Sequence, residues 1–389
     1  MSDSILISGA LANKPFNGGN AWSRLSWLLG FKKLGFDVCF IEEIRPDACV
    51  DSSGNPSPFR SSANVRYFRE TMEEFGLGNT CSLLCTEGNE AYGLDLRQLT
   101  SLADRATLLF NLSGHLTIPD LKQRVSCLVY YDDDPGYTQF WHAQGNTGAR
   151  VSGHDFYFSL GANIGTPECP IPTNGIKWHA TRPPVVLEDW SVTAQPQLDR
   201  FTTVASWRGA YSSMQFNGVT YGVKAHEFRK FLELPQRSAC AYEIALQIHP
   251  SDHRDLEALS DKGWRVTDPK TAAGSPQQFR DYVQSSGAEF SAAQGIYVDT
   301  NSGWFSDRTV RYLASGKPAL VQETGFTRHY PTGQGLLSFR TLDEAVDGAE
   351  RIAGDYGKHC AAARRVAEAH FDSDKVIREI ARTIGLSVP

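Results

Sequence analysis

IYVDTNSGWFSDRTVRYLASGKPALVQETGF (296–326) is the stretch whose reading decides the fold. IYVDT, with its apolar and β-branched residues, predicts a short strand. NSGWFS predicts a loop, and DRTVRYLAS a helix that Ser306 can cap. Gly316 closes that helix, Lys317-Pro318 turns the chain, and ALVQ opens a second strand. The result is a βαβ unit, hence a parallel pair with a right-handed crossover. In such units the carboxyl end of the strand and the amino end of the helix share one crevice, where phosphate-bearing ligands bind. Arg308 in the first turn and Arg311 one turn on would add guanidinium groups to that receptor. Taken alone, an ordinary βαβ unit with solvated arginines would read the same way.

Working outward, the second half alternates strand and helix. FTTVASWRG (201–209) is a strand leading to Trp207, Arg208 and Gly209. NGVTYGVKAHEFRKFLELP (217–235) brings Lys224 and His226 to a helix start. EIALQI (243–248), DHRDLEALSDKGW (252–264) and WRVTDP (264–269) follow as strand, helix and strand. PQQFRDYVQSSGAEFSA (276–292) begins as a helix, and two or three amphipathic helices close the chain. This pattern predicts an α/β unit with a parallel sheet.

The first half has the same plan. ILISGAL (5–11) is a strand, ANKPFNGGN a polar loop, and AWSRLSWLLGFKKLG a helix with Trp22, Leu25, Leu28 and Leu29 at helical spacing. DVCFIEE (37–43) is the next strand. Gly18-Gly19 matches neither the dinucleotide motif G-x-G-x-x-G nor a P-loop, which removes the ground for a hydride-transfer reading. Those glycines either turn the chain or lie near a substrate phosphate. Residues 45–63 read as an exposed loop, and RYFRETMEEFGL (66–77) as a helix. ATLLFNLSGHL (106–116) and SCLVYYDDDPGYTQFWH (126–142) each end a strand in a polar cluster, which predicts a shared crevice at their carboxyl ends. His115 is a candidate general base there, and Asp132, Asp133 and Asp134 are candidates for acceptor contact, base catalysis or plain helix capping. YFSLGANIGTP (157–167) is a further strand and glycine loop. The proline-bearing WHATRPPVVLEDW (178–190) and QPQLD (195–199) read as an interdomain connection, with a boundary near residue 190.

Length and composition set the outer limits. The 389 residues, 41% hydrophobic and 21% charged, suit a globular chain of two domains. A net charge of −6 argues against nucleic acid as the main partner. MSDSILISGA has no basic segment followed by an apolar run, no stretch is long enough to span a bilayer, and the scattered cysteines lack metal-ligand spacing. The expectation is a cytoplasmic protein with reduced thiols.

Two Rossmann-like halves with a helical tail resemble the GT-B fold of nucleotide-sugar glycosyltransferases of the bacterial family 1/4-like kind. SDRTVRYLASGKPALVQETGF is similar to their donor-binding βαβ unit, in which a helix ends in A-x-G-x-P before a strand. ARRVAEAHFDSDKVIREI is similar to their C-terminal helices, which return toward the N-terminal domain, and NGGNAW…LLGFKKLGFDV to their first loop and helix. The resemblance implies an acceptor-binding domain over 1–190, a nucleotide-sugar domain over 191–365 and a helical tail over 366–389. It implies a metal-independent transfer from a sugar nucleotide such as a UDP-sugar, with no cofactor beyond that co-substrate, to a small-molecule or glycan acceptor, with a homodimer as the candidate assembly. By place, Arg208 and Lys224 match the basic pair that retaining members set on the diphosphate. Arg308 would serve the leaving group. Thr267, Ser302, Gly303, Ser306, Asp307, Arg311, Thr324 and Gly325 would line the donor, and Gly18, Gly19 and Asp132 the acceptor side. His115 or Asp133 would supply an acceptor base. One departure stands: retaining members carry glutamate three residues before the helix-end alanine, here Ala314, and this chain has Arg311. Stereochemistry therefore stays open. The D-x-D in Asp132–Asp134 also resembles the metal signature of the other glycosyltransferase fold. A nucleotide-sugar epimerase of the GT-B architecture and a non-catalytic nucleotide- or sugar-binding protein are the alternatives.

Overall fold

Two parallel sheets, each with its own helices, carry the chain. The computed structural model describes residues 3–87, 90–194, 196–209 and 211–389; Gln195, at the start of the predicted QPQLD break, lies outside them. The first sheet contains β1 (Ser4–Ser8), β2 (Asp37–Ile44), β3 (Cys81–Cys85), β4 (Glu90–Gly93), β5 (Ala106–Leu112), β6 (Leu128–Asp132), β7 (Phe156–Ser159) and β8 (Trp178–Ala180). Their order is β4-β3-β2-β1-β5-β6-β7-β8, parallel except for β4 at the edge. The second sheet contains β9 (Phe201–Ser206), β12 (Tyr242–Gln247), β13 (Arg265–Thr267), β14 (Ala288–Ser291), β15 (Ala319–Gln322) and β16 (Leu336–Phe339), in the order β13-β12-β9-β14-β15-β16 and wholly parallel. Between β9 and β12, β10 (Met214–Phe216) and β11 (Val219–Tyr221) form a hairpin. Central strands such as LVYYD and ALVQ are apolar on both faces because helices cover both faces.

In both sheets the strand order reverses beside the first strand, between β1 and β5 and between β9 and β14. A doubly wound sheet opens a ligand crevice at this switch point, beyond the carboxyl ends of the strands.

Several expectations need correction. IYVDT is helical: Gly295–Asp299 is a short helix, and the first strand of the decisive unit is β14 (Ala288–Ser291), just upstream. β-Branching in a five-residue run does not separate a strand from a buried helical turn. The helix Asp307–Ala314 and the strand β15 lie where predicted. WHA of the supposed connection is β8, paired with β7. Residues 45–63 contain two short 3-10 turns, and Cys49 and Phe59 are buried there. All eight cysteines are unpaired.

Three helices close the chain: Leu342–Gly354, Tyr356–His370 and Ser373–Ile384. The last crosses back onto the N-terminal half. Val376, Ile377 and Ile380 join the apolar core with Trp27, Leu28 and Phe31 of the helix Gly18–Lys33, and Lys33 pairs with Asp374 at 3.2 Å. Among the described residues no helix is long and apolar enough to cross a membrane.

Candidate active site between the two sheets

The helix Asp307–Ala314 connects β14 to β15, so its amino end stands at the carboxyl edge of the second sheet. Ser306 occupies the N-cap position, but its side chain makes no capping hydrogen bond. First-turn N–H groups of a helix have no intrahelical acceptor, and here no side chain takes their place. They form the positive end of the helix dipole, which favours an anion.

The two arginines of this helix are committed. Arg308 donates from Nε to Glu289 at 2.6 Å, from Nη1 to the Val204 carbonyl at 3.0 Å and from Nη2 to Ser291 at 2.7 Å. Val204 lies on β9 and Ser291 on β14, so Arg308 bridges the switch point from below. Burial works against its charge; Glu289 restores it and leaves the guanidinium more firmly protonated than usual. Arg311 is 1% exposed. It pairs with Asp307 at 2.8 Å and reaches Ser26, on the helix Gly18–Lys33, at 3.2 Å. Arg308 and Arg311, expected to serve a leaving group, spend these donors on carboxylates, carbonyls and hydroxyls of the fold, while Arg311 Nε is buried without a partner.

Lys224 opens the helix Lys224–Phe228 and donates from Nζ to the Ala292 carbonyl at 2.6 Å, just past β14. Burial first, then the nearby Arg308, pushes its pKa down to about 7, with Glu289 opposing. Arg208 lies apart from this group, exposed, in a bidentate pair with Asp252 at 2.6 and 2.8 Å. Thr267 ends the edge strand β13, two strands from the switch point, with its hydroxyl unpartnered.

Ser302, Gly303, Thr324 and Gly325 form loops that clasp one residue of the first half, Asn163. The Asn163 amide N–H donates to the Ser302 carbonyl at 3.0 Å, and its side chain donates to the Asn301 carbonyl at 2.8 Å and the Gly325 carbonyl at 3.4 Å. His329 Nε2 bonds Asn163 Oδ1 at 2.8 Å. Gly303 N donates to Thr324 O at 2.7 Å, and Thr324 Oγ1 to Trp304 O at 2.5 Å. These residues join the halves; their polar groups are spent on one another rather than on open space.

Across the gap, Asp132, Asp133 and Asp134 divide. Asp132 is fully buried and accepts from Thr138 at 2.7 Å, Gln139 at 2.8 Å and Ser159 at 2.6 Å. It anchors the helix Tyr137–Ala143, the capping alternative, and has no open lone pair for an acceptor or a metal. Asp133 accepts from Ser113 and pairs with Arg24 at 3.3 Å. Burial opposes its charge, but Arg24 and Ser113 prevail and hold it below the usual carboxylate range. Ser113 and Gly114 both have left-handed backbone, φ 51° and 65°, the tight turn that aims the loop at Asp133. Asp134 accepts from Tyr297 at 2.7 Å, and burial and Asp133 raise its pKa to about 6. His115 adjoins this cluster. Its pKa is pushed down to about 3 by burial and by Arg24, with Asp133 opposing and Lys14 and Arg150 adding to the fall. The direction departs from the near-neutral titration expected of an imidazole: burial and the Arg24 charge favour the neutral ring. Gly18 and Gly19 are the first residues of their helix, not an open loop. A Cβ on Gly18 would overlap the Ser275 carbonyl, and one on Gly19 would stand 3.0 Å from the Phe279 ring. They permit close contact between the halves.

Arg24, Asn163 and Tyr297 escaped the sequence reading. Arg24 left a signal, a charged residue among the buried Trp22, Leu25, Trp27 and Leu28 of its helix. Asn163 and Tyr297 left none, since neither spacing nor residue type marks a contact across 138 or 163 positions. Among the described residues no group of three His, Cys, Asp or Glu side chains is placed to hold a metal ion.

No family model matches the chain, and no curated protein matches it by sequence. Solved structures do. An alpha-glucosyltransferase in complex with UDP is similar over 99% of this chain and 100% of its own, at TM-score 0.60 and 12% identity. The Anabaena HepE in complex with UDP and glucose is similar over 98% and 99%, at 0.58 and 10%. Sucrose-phosphate synthase from Thermosynechococcus elongatus is similar over 98% of each chain, at 0.54 and 9%. These are GT-B glycosyltransferase structures, and the chain has the GT-B fold: two Rossmann-like halves facing each other, with the last helix returned to the first.

Proposed function

We propose that this chain is a glycosyltransferase, moving a glycosyl group from a nucleoside-diphosphate sugar, with UDP as the first nucleotide to try, to an acceptor hydroxyl. The observation that carries the reading is the uncapped amino end of the helix Asp307–Ala314, set at a GT-B switch point opposite the Arg24–Asp133–His115 cluster. Residues 191–365 take the donor on this reading, 1–190 the acceptor, and 366–389 tie the two. The diphosphate sits on the first-turn N–H groups from Ser306 to Thr309, with the Lys224 ammonium as counter-charge. Arg308 acts as a positioning residue beneath it. As the anomeric C–O bond to the diphosphate breaks, its electron pair leaves with the diphosphate. The acceptor oxygen forms the new C–O bond, and its proton passes to His115 or Asp133. Preorganised donors facing the departing charge lower the barrier, each on the order of 10²–10³ in rate. The gap between the halves excludes water, which favours transfer over hydrolysis.

The test is a thermal-shift panel of nucleoside diphosphates and their sugars. A cognate ligand at a hundred times its Kd adds about 2.7 kcal/mol of stability. UDP release that requires an acceptor supports the reading, and a flat panel refutes it. Donor consumption at full rate without acceptor would instead favour the epimerase alternative, whose architecture is also represented by a putative UDP-N-acetylglucosamine 2-epimerase from Listeria monocytogenes (TM-score 0.52, 10% identity over 100% of this chain and 99% of that one).

A further inference from the structure

A cavity of about 420 Å³ lies between the connection that leaves β5 and the segment that follows the helix Tyr137–Ala143. Lys122, His142 and Arg150 line it, and no carboxylate does. None of the three makes an ion pair among the described residues, although most other arginines of this acidic chain do; Arg124, for example, pairs with both Asp104 and Asp120. Glu43 is the acid felt by Lys122, and its oxygens already accept from the Thr117 amide and hydroxyl. Burial lowers the Lys122 pKa, as expected of an ammonium without a counter-ion.

The walls are fixed by the fold. Arg150 is held in a left-handed conformation, φ 50°. Its Cβ and carbonyl oxygen come so close to Gly114 that a Cβ there would stand 2.7 and 2.8 Å from them. The Tyr130 hydroxyl donates to the Ala149 carbonyl at 2.9 Å, and Asn111 donates to the Leu116 carbonyl at 3.1 Å. Leu116 and Val151 provide apolar wall beside the cations. Gly114 and Leu116 line the cavity and His115 between them does not, but the Arg150 charge is felt at the His115 ring, which places the proposed acceptor base beside the cavity rather than in its wall.

We infer that this cavity is the specificity pocket for a small acidic acceptor, whose single carboxylate or phosphate is gripped by Arg150 and Lys122 while its hydroxyl faces His115. A planar guanidinium suits either anion bidentately, and the ammonium adds a point charge. The chain's net charge of −6 disfavours a polyanion such as nucleic acid at the same place. The inference rests on the proposed glycosyl transfer for its role, but the pocket's anion preference can be tested without it.

The experiment titrates the full chain, by calorimetry, with glucose, glucose 6-phosphate, glucuronate and a short DNA duplex, and repeats the titrations on Arg150→Gln and Lys122→Gln. The expected result is binding of one or both anionic sugars at least 10-fold tighter than glucose, reduced at least 10-fold in either variant. The tighter of the two identifies the anion. In a transfer assay the same variants raise the acceptor KM at least 10-fold and leave the Kd for UDP unchanged. Equal binding of glucose and the anionic sugars, an unchanged affinity in both variants, or tight binding of the duplex alone would overturn the inference. Loss of UDP binding in the wild-type chain would defeat the transferase reading separately, because the sugar titrations do not involve the donor.

Discussion

The Tyr297 hydroxyl donates to Asp134 across 163 residues at 2.7 Å, and this bond ties the helix Gly295–Asp299 of one half to the polar end of β6 in the other. Asp134 is also the acid whose pKa burial lifts to about 6 from an ordinary value of 3.8. Between those values the folded chain holds a proton that the unfolded chain releases. Stability contributed here is present below about pH 4 and is lost as pH rises through 6, by no more than about 3 kcal/mol. Asp134→Asn keeps the acceptor oxygen and removes the charge. Urea unfolding of this variant is expected to show a gain over wild type at pH 7.5 that shrinks to nothing near pH 4. A gain independent of pH would show that Asp134 is not the group responsible.

Glu289 is wholly buried, and Arg308 is its counter-ion. Arg308→Ala is expected to cost stability, about 3–5 kcal/mol, because it strands a carboxylate in the sheet. Arg308→Met with Glu289→Gln should recover most of that loss. Denaturant midpoints of the single and double variants check this, and a fully stable Arg308→Ala would contradict the bridging role.

Lys224, with a pKa near 7, links nucleotide binding to protons. A diphosphate favours the ammonium form, so binding near pH 7.5 takes up protons and weakens as pH rises toward 9. Calorimetry in buffers of different ionisation enthalpy measures the uptake. In Lys224→Met the proton uptake should vanish and UDP affinity should fall about 10-fold or more. Folding responds in the opposite sense: burying the ammonium penalises the native state fully below pH 7, and the penalty eases as pH rises from 7 toward 10.5.

Gly325 has φ 93°, and a Cβ there would overlap Asn163 Nδ2 and stand 2.5 Å from Asn301 Oδ1. Gly325→Ala is therefore expected to destabilise by roughly 2 kcal/mol or more through strain and through opening of the Asn163 clasp. Asn163→Ala removes the side chain in the way. A double-mutant cycle should show coupling of about 1 kcal/mol or more, whereas additive losses would mean that the two residues do not meet.

Local chemistry carried much of this fold. The strands ALVQ and LVYYD, the helix over 307–314 and the closing helices follow from apolar runs, periodicity and glycine stops, which act over a few residues. The strand at 288–291 was hidden because AEFS is short and mixed, while IYVDT nearby has β-rich composition yet packs as a helical turn against Tyr137, Phe140 and Tyr221. The chain alone therefore determined that there are two doubly wound halves with polar clusters at their strand ends. Tertiary structure decided which clustered groups remain open. Arg308 and Arg311 are absorbed by Glu289 and Asp307, Asp132 by Thr138, Gln139 and Ser159, and the Gly303 and Gly325 loops by Asn163, while the helix terminus at Ser306 and the Arg150 cavity keep unspent donors. The physical reason is that a side chain's availability depends on which partner reaches it first, and most of those partners come from distant parts of the chain.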